Sequence, residues 1–473
     1  MEKRTNKGIK NHLKGIFTNK TVISALGITL FLLIMFRLGS SITVPGIDIS
    51  GMKKDDSNSF ASMLNLLAGG GLNRLSLFAV GVGPYITAQI IVQLLSTDLV
   101  KPMARMAKLG ERGRRKLEVI TRVLTLPFCI AQSYAVLALL LQNSDSGIKI
   151  FGQTSLSDIS AGKIIALMTI FTAGTYICIF IGDIITKRGV GQGVTLLILA
   201  GIVANIVPNF TTSFQYIKGK MDVQSSNYII NLVLSEGLYI LFFVGILFAV
   251  IFVNGATRKI PVQQTGQGLT NKVEDLPFLP IKLNSAGVIP VIFASSILTI
   301  PGTIAQFLGN WSAGKDFVLK YLTLNSWSGL LLYFVLIVLF SFFYSYVQIN
   351  PQQLSENFEK SGKFIPGVKN GEDTEKHITR VLNRINWLGG PFLGIIAVLP
   401  YILSQVSGIP SGLALGGTGM IIIVTATLEL WNSIKSASTT SGYNVERRRI
   451  ESRFMDEAIK NTSTEKTKVE QLW

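Results

Sequence analysis

Long apolar runs recur along this chain, separated by polar segments, and most are unbroken by the period-2 alternation of a half-buried strand. They fall near 21–40, 76–97, 119–142, 161–185, 190–208, 229–253, 285–308, 327–348, 386–405 and 411–434. A helix needs about 20 mostly apolar residues to cross a bilayer. Lipid offers the backbone no hydrogen-bond partners, so each such segment must be helical. The fifth run is short, and the seventh is interrupted by Pro290 and Pro301. The pattern predicts an all-α membrane protein of about ten transmembrane helices. The loops between runs reach about 30–37 residues, shorter than an ordinary domain, so no soluble domain is expected. The run from Thr21 follows a basic N-terminal segment, 1–20, but has no A-x-A cleavage pattern; it reads as a retained first span rather than a signal peptide.

Composition agrees. Of the 473 residues, 48% are hydrophobic and 15% charged, against about 25% charged in soluble domains. The net charge is +17, and its placement carries more than its size. Most Lys and Arg lie in every second loop: the N-terminus, 98–118, Lys187–Arg188, 254–284, 349–385 and the tail 435–473. That side is expected to be cytoplasmic, and an even number of spans puts both termini there. Such a basic face suits anionic phospholipid, or a partner rich in phosphate such as a ribosome.

Several chemistries are missing from the pattern. Cys129 and Cys178 lie in apolar runs and read as core residues, with no metal-ligand spacing. His12 and His377 are far apart. Asp183 and Glu429 fall near cytoplasmic ends of spans, Arg37 and Glu236 near outer ends, all within reach of headgroups. No carboxylate–histidine relay crosses the membrane, which weighs against an ion-coupled solute transporter or lipid flippase. No nucleotide-binding or hydrolase motif occurs. The expectation is a protein that is not an enzyme, uses no cofactor and draws its driving force from a partner.

Three features stand out. Phe60 to Leu67 is a short amphipathic run containing Met63 and Leu64; Gly69, Gly70 and Gly71 follow it, then Arg74 and the second span. A helix too short to cross, tied by soft glycines to one that does, fits a movable half-inserted element; the same composition fits an ordinary external loop. The second and seventh runs carry Pro84 and Pro290 among small residues, which fits bent helices meeting along a separable seam and equally fits ordinary tight packing. Finally, Gly110-Glu111-Arg112-Gly113-Arg114-Arg115-Lys116, Arg258-Lys259-Ile260-Pro261 and Lys363-Phe364-Ile365-Pro366-Gly367-Val368-Lys369 mix basic, Gly/Pro and apolar residues, as a protruding, gripped loop does.

In these segments, and in Gly191-Gln192-Gly193, Leu279-Pro280-Ile281-Lys282-Leu283-Asn284, Asn350-Pro351 and Gly416-Gly417-Thr418, the chain resembles the SecY family of protein translocation channels, which includes the α-subunit of the eukaryotic endoplasmic-reticulum translocon. The likeness covers nearly the whole chain in the family's order. It implies two inverted, pseudo-symmetric five-helix halves, 21–208 and 209–434, around a central hourglass pore in the bacterial plasma membrane. It implies a plug half-helix at about 60–73, comprising Phe60, Met63, Leu64 and Leu67, with Gly69, Gly70, Gly71 and Arg74 as its hinge. The pore ring would fall on Val82, Ile86, Val194, Ile198, Ile292 and Ile422. The lateral gate would fall on Pro84, Ala88, Gln93, Pro290, Phe293 and Ser296. Arg258, Lys259, Phe364, Pro366 and Lys369 would receive the SecA motor or a translating ribosome. SecE and SecG would be partner subunits, and signal sequences and nascent polypeptide the cargo. Similar proteins carry Arg-Pro where this chain has Lys369-Asn370; lysine keeps the charge and loses the planar fork of donors.

Overall fold

The computed structural model describes residues 20–48, 75–96, 100–142, 149–153, 159–220, 228–264, 277–307, 317–318, 320–324, 326–407 and 418–437. Helices occupy all of the expected segments: α1 (Lys20–Gly39), α2 (Gly83–Ser96), α4 (Glu111–Gln142), α5 (Ala161–Arg188), α6 (Gly193–Lys220), α7 (Tyr228–Gly255), α8 (Ile289–Phe307), α9 (Trp327–Ile349), α11 (Glu372–Ser407) and α12 (418–437). Short helices α3 (Lys101–Lys108) and α10 (Pro351–Lys360) also lie outside them. By length and composition, stretches within α1, α4, α5 and α11, and the α9–α10 pair, suffice to cross a membrane; shorter apolar stretches lie in α6, α7 and α8.

Two starts differ from the sequence expectation, for one reason. The second run was expected to be helical from 76 and the seventh from 285, yet α2 begins at Gly83 and α8 at Ile289. Gly81 (φ 60°) and Gly287 (φ 67°) hold left-handed backbone just ahead of each helix, which a right-handed helix cannot include. Pro84 and Pro290 therefore occupy first turns, where a missing N–H costs nothing and the fixed φ fits. They start the helices instead of bending them; within α8 only Pro301 is interior.

Three other helices outrun their apolar segments, α6 by twelve residues at its C-terminal end (220 − 208). Helix α4 starts eight residues before the expected span and α11 fourteen before it (119 − 111 and 386 − 372). Acidic side chains at Glu372, Asp373 and Glu375 occupy the first turn of α11, where the helix dipole favours them. Lys376 lies 2.7 Å from Glu372 and holds its carboxyl below the usual range by hydrogen bond and charge.

The early part of α11 belongs to a body that the loop lengths did not predict. Strands β3 (Thr257–Pro261) and β5 (Phe278–Lys282) pair antiparallel, with Arg258 opposite Ile281 and Lys259 opposite Pro280. Strand β4 (Gln263–Gln264) then pairs with β6 (Lys363–Phe364) from the other long loop. Ile260, Val262, Ile281, Phe358, Ile365, Ile378, Val381, Leu382 and Ile385 form one buried cluster beneath the strands. Three of these residues come from the loop 254–284 and six from 349–385, so the cluster is shared between them. Counting each loop separately, as the sequence reading did, does not anticipate this shared cluster.

On another side, β1 (Ile47–Asp48) pairs with β2 (Lys149–Ile150) over a small cluster that includes Val44, Leu75, Ile150 and Phe171. The main core draws on α1, α2, α5–α9, α11 and α12. Helix α2 packs along α4, α8 along α9 and α9 along α11; α8 also touches both α2 and α4.

Close backbone approach sets the α5–α6 contact: a Cβ on Gly193 would lie 1.9 Å from the Gly182 carbonyl oxygen. Gly193→Ala should therefore cost about 1–3 kcal/mol, the usual range for overpacking, read as a lower midpoint of thermal unfolding in detergent. Gly162→Ala, where nothing lies within 4 Å of the new atom, serves as the control and should leave the midpoint near that of the parent.

Candidate channel site

The six residues expected to form a ring come from four places in the chain. Val82 precedes α2 and accepts the Ile86 N–H at 3.1 Å, so the two branched side chains stack one turn apart. Val194 and Ile198 repeat that spacing on the first turns of α6. Ile292 sits in the first turn of α8 and Ile422 in α12. Val82, Ile86, Ile198, Ile292 and Ile422 are all buried members of the main core, and the half-buried Val194 packs against it. The fold thus gathers all six into one apolar cluster.

Of the expected gate residues, Pro84, Ala88, Pro290, Phe293 and Ser296 are buried and Gln93 is half-buried. They line two helices in contact, α2 and α8. Phe293 meets Phe340 and Tyr344 of α9 edge-to-face, at 6.0 and 5.9 Å. The plug and hinge residues, Phe60, Met63, Leu64, Leu67, Gly69, Gly70, Gly71 and Arg74, lie outside the described residues, as does the tail beyond 437.

At the loops, Arg258 and Lys259 are exposed on β3, and the Lys259 ammonium stands 4.6 Å from the centre of the Phe278 ring. Ile365-Pro366-Gly367-Val368 closes as a turn, the Val368 N–H donating to the Ile365 oxygen at 3.0 Å. Gly367 supplies the φ of 82° that its third position demands. Phe364 is half-buried, whereas Pro366 and Lys369 are exposed. The base of the turn is fixed: Thr374 Oγ1 donates to the Lys369 oxygen at 2.8 Å and Ser355 Oγ to the Gly371 oxygen at 2.6 Å.

Sequence reasoning missed two groups. Asp183 meets Arg122 of α4 at 2.6 Å, and Arg122 also meets Glu118 at 2.7 Å. Tyr176 of α5 donates to the Arg122 carbonyl at 2.8 Å. This ties α4 to α5 beside the seam. Arg122 falls inside the apolar run 119–142 and drew no attention in the sequence; only the helix packing reveals its partner 61 residues away. The second group is polar and buried in the contacting helices α4 and α8. Gln132 Oε1, Ser133 Oγ and Ser296 Oγ have no hydrogen-bond partner among the described residues. Thr299 Oγ1 donates to the Ser296 oxygen at 2.6 Å. Their signal was present as Gln-Ser and Ser-Ser pairs inside apolar runs.

Apolar helices packed around one large aliphatic core, with the two long loops folded together over a second cluster, make a fold shared with solved protein-conducting channels. One solved structure of such a channel superimposes with a TM-score of 0.63 at 17% identity, covering 88% of this chain and 93% of the other. Canine Sec61, in its ribosome-channel complex from the endoplasmic reticulum, gives 0.59 at 16%, with the same coverages. In sequence, the SecY family model matches residues 76–431. Protein translocase subunit SecY of Mycoplasmoides gallisepticum is 50% identical over 458 residues, 96% of this chain and 90% of that one. The Mycoplasma pneumoniae subunit is 50% identical over 436 residues (92% and 90%), and that of Lactococcus lactis strain IL1403 38% over 430 (88% and 93%). The chain belongs to the SecY family: it is a multi-pass membrane protein and a protein translocation channel.

The Arg122–Asp183 contact is half-exposed, at 38% and 22% of side-chain area, and it carries a charge-assisted hydrogen bond. A double-mutant cycle with Arg122→Met and Asp183→Asn should give a coupling of about 1–3 kcal/mol. Unfolding midpoints of the four proteins in detergent measure it, and a coupling near zero would show that the contact is incidental.

Proposed function

We propose that this chain is the pore subunit of a bacterial plasma-membrane translocon, passing unfolded preproteins across the membrane and releasing apolar segments sideways into lipid. Its halves are 21–208 and 209–434, and both termini are cytoplasmic. SecE and SecG are its partner subunits; the SecA motor or a translating ribosome supplies the drive, and the chain itself performs no catalysis. The observation that carries the reading is the apolar cluster containing Val82, Ile86, Val194, Ile198, Ile292 and Ile422 beside the contact of α8 with α2 and α4.

The chemistry follows from that arrangement. A neck of branched aliphatic side chains gives water nothing to hydrogen-bond, so it dewets and blocks ions. The same side chains deform around a passing chain without binding it tightly. A segment apolar enough to prefer lipid leaves between α2/α4 and α8, where rupture exposes the partnerless polar atoms Gln132 Oε1, Ser133 Oγ and Ser296 Oγ to water that can satisfy them. That gain offsets part of the packing lost on opening. The plug, about 60–73, covers the outer side when the channel is idle.

Ile422→Asn or Ile292→Asn should make the closed channel conduct ions and accept preproteins with weak signal segments, because an asparagine amide gives water both donors and an acceptor at the neck. A tenfold rise in open fraction needs only about 1.4 kcal/mol. Single-channel recording in planar bilayers measures this, and folded mutants as tight as the parent would refute the ring.

Docking is assigned to the loop body. Arg258→Glu with Lys259→Glu reverses two exposed charges on a strand whose fold rests on Ile260 beneath. Ribosome affinity and SecA-driven transport should fall by about tenfold or more, most steeply at low salt where screening is weak. Unchanged binding and transport would place the docking surface elsewhere.

A further inference from the structure

The cytoplasmic foot of α8 holds acceptors that the ring, the seam and the docking loops do not use. Glu429, on α12, is half-buried, and its Oε1 lies 3.3 Å from where a Cβ on Gly287 would stand. The left-handed φ of Gly287 and its missing side chain let the carboxylate sit against the chain just ahead of α8. Asn284, three residues earlier, is only 4% exposed. Its Nδ2 donates to Asn254 Oδ1 at 2.8 Å, and Asn254 Nδ2 donates in turn to Thr425 Oγ1 at 3.4 Å, one turn before Glu429. Asn284 Oδ1 itself has no partner among the described residues. A carboxylate and a buried, unsatisfied carbonyl oxygen at one helix foot want a cation that donates hydrogen bonds. The exposed Lys282 is within electrostatic reach of Glu429 and balances its charge from outside. On the other wall of the seam, Glu118 and Asp183 are already taken by Arg122.

We propose that Glu429 and Asn284 Oδ1 form an acceptor site for the cationic residues that precede the apolar run of a signal segment. The proposal rests on the reading of the α2/α4–α8 contact as the exit and of this foot as cytoplasmic. A segment lodged in that seam leaves its leading end at the foot of α8, and secretory signals carry their positive charge at that end, ahead of the apolar stretch. An ammonium brings three donors and no acceptor; a guanidinium brings five. Either can meet the carboxylate in direct contact, and a donor that enters as the seam opens can satisfy the buried asparagine oxygen. The site would favour the insertion orientation that keeps the basic end on the cytoplasmic side, and it does so inside a chain of net charge +17 whose cytoplasmic face otherwise repels a basic leader.

The test uses the complete channel with its partner subunits and SecA in proteoliposomes, and one preprotein in two forms: a leader with several lysines, and the same leader with those lysines changed to glutamine. The measured quantity is the ratio of their transport rates. Glu429→Gln should lower the ratio by roughly threefold to tenfold, and Asn284→Asp, which adds a second carboxylate, should raise it. The opposite signs separate a local charge effect from general damage, and Asn284→Asp decides alone where Glu429→Gln fails to fold. If the parent transports both forms and neither variant moves the ratio, the acceptor site is refuted while the channel reading stands. If the parent transports neither form, the channel reading falls and this proposal falls with it.

Discussion

Hydrocarbon gives a peptide group nothing to hydrogen-bond, so every segment that crosses it closes its own ladder as a helix. The same solvent removes the usual reason for helices to associate, because lipid tails are as apolar as leucine; close packing and buried polar contacts must hold them together instead. Both devices are visible. Gly193 lies against the backbone of Gly182, and Gly174 against the Leu77 carbonyl, so α5 reaches its neighbours without intervening side chains. Arg122 then pins α4 to α5 through Asp183. Helix α8 meets both α2 and α4, and among the buried polar atoms without a partner in the described residues are Gln132 Oε1 and Ser133 Oγ on α4 and Ser296 Oγ on α8.

A channel built on this principle needs a tight place and a weak place close together. In the proposed channel the tight place is the branched aliphatic cluster around Ile86, Ile198, Ile292 and Ile422, and the weak place is the contact of α8 with α2 and α4. Phe293 of α8 is buried in the core and edge-on to Phe340 and Tyr344. Helix α8 contributes to both, and it is linked directly through β5 to the loop body outside. The loop body and the proposed gate are therefore joined by the short stretch from Leu283 to Val288, with the Leu283 oxygen 2.5 Å from where a Cβ on Gly389 of α11 would stand.

Much of this was legible in the residues alone. The apolar runs located the helices to within a few residues wherever hydropathy and helix ended together, as in α1, α5 and α9. The motifs around Gly191-Gln192-Gly193 and Leu279 to Asn284 sufficed for the family. The boundaries that failed did so because hydropathy reports solvent preference and not backbone geometry: Gly81 and Gly287 are as compatible with lipid as their neighbours, yet their positive φ ends any helix. Helices α4 and α11 extend past the membrane for the converse reason, since polar sequence with favourable helix ends continues a helix as well as apolar sequence does.

The sequence by itself determined the apolar character of each segment, the alternation of charge between loops and the branched aliphatic residues available for the core, because these depend only on local composition. The tertiary structure decided what depends on partners far apart in the chain. Gln263 and Gln264 became a strand because Lys363 and Phe364 lie beside them, and the two long loops became one folded body because both contribute side chains to one buried cluster. Asp183 became part of an ion pair because α4 delivers Arg122 to it. Glu429 came to face Gly287 because α12 returns to the foot of α8. Each of these is a contact whose energy exists only after the helices have packed, so no window of sequence contains it.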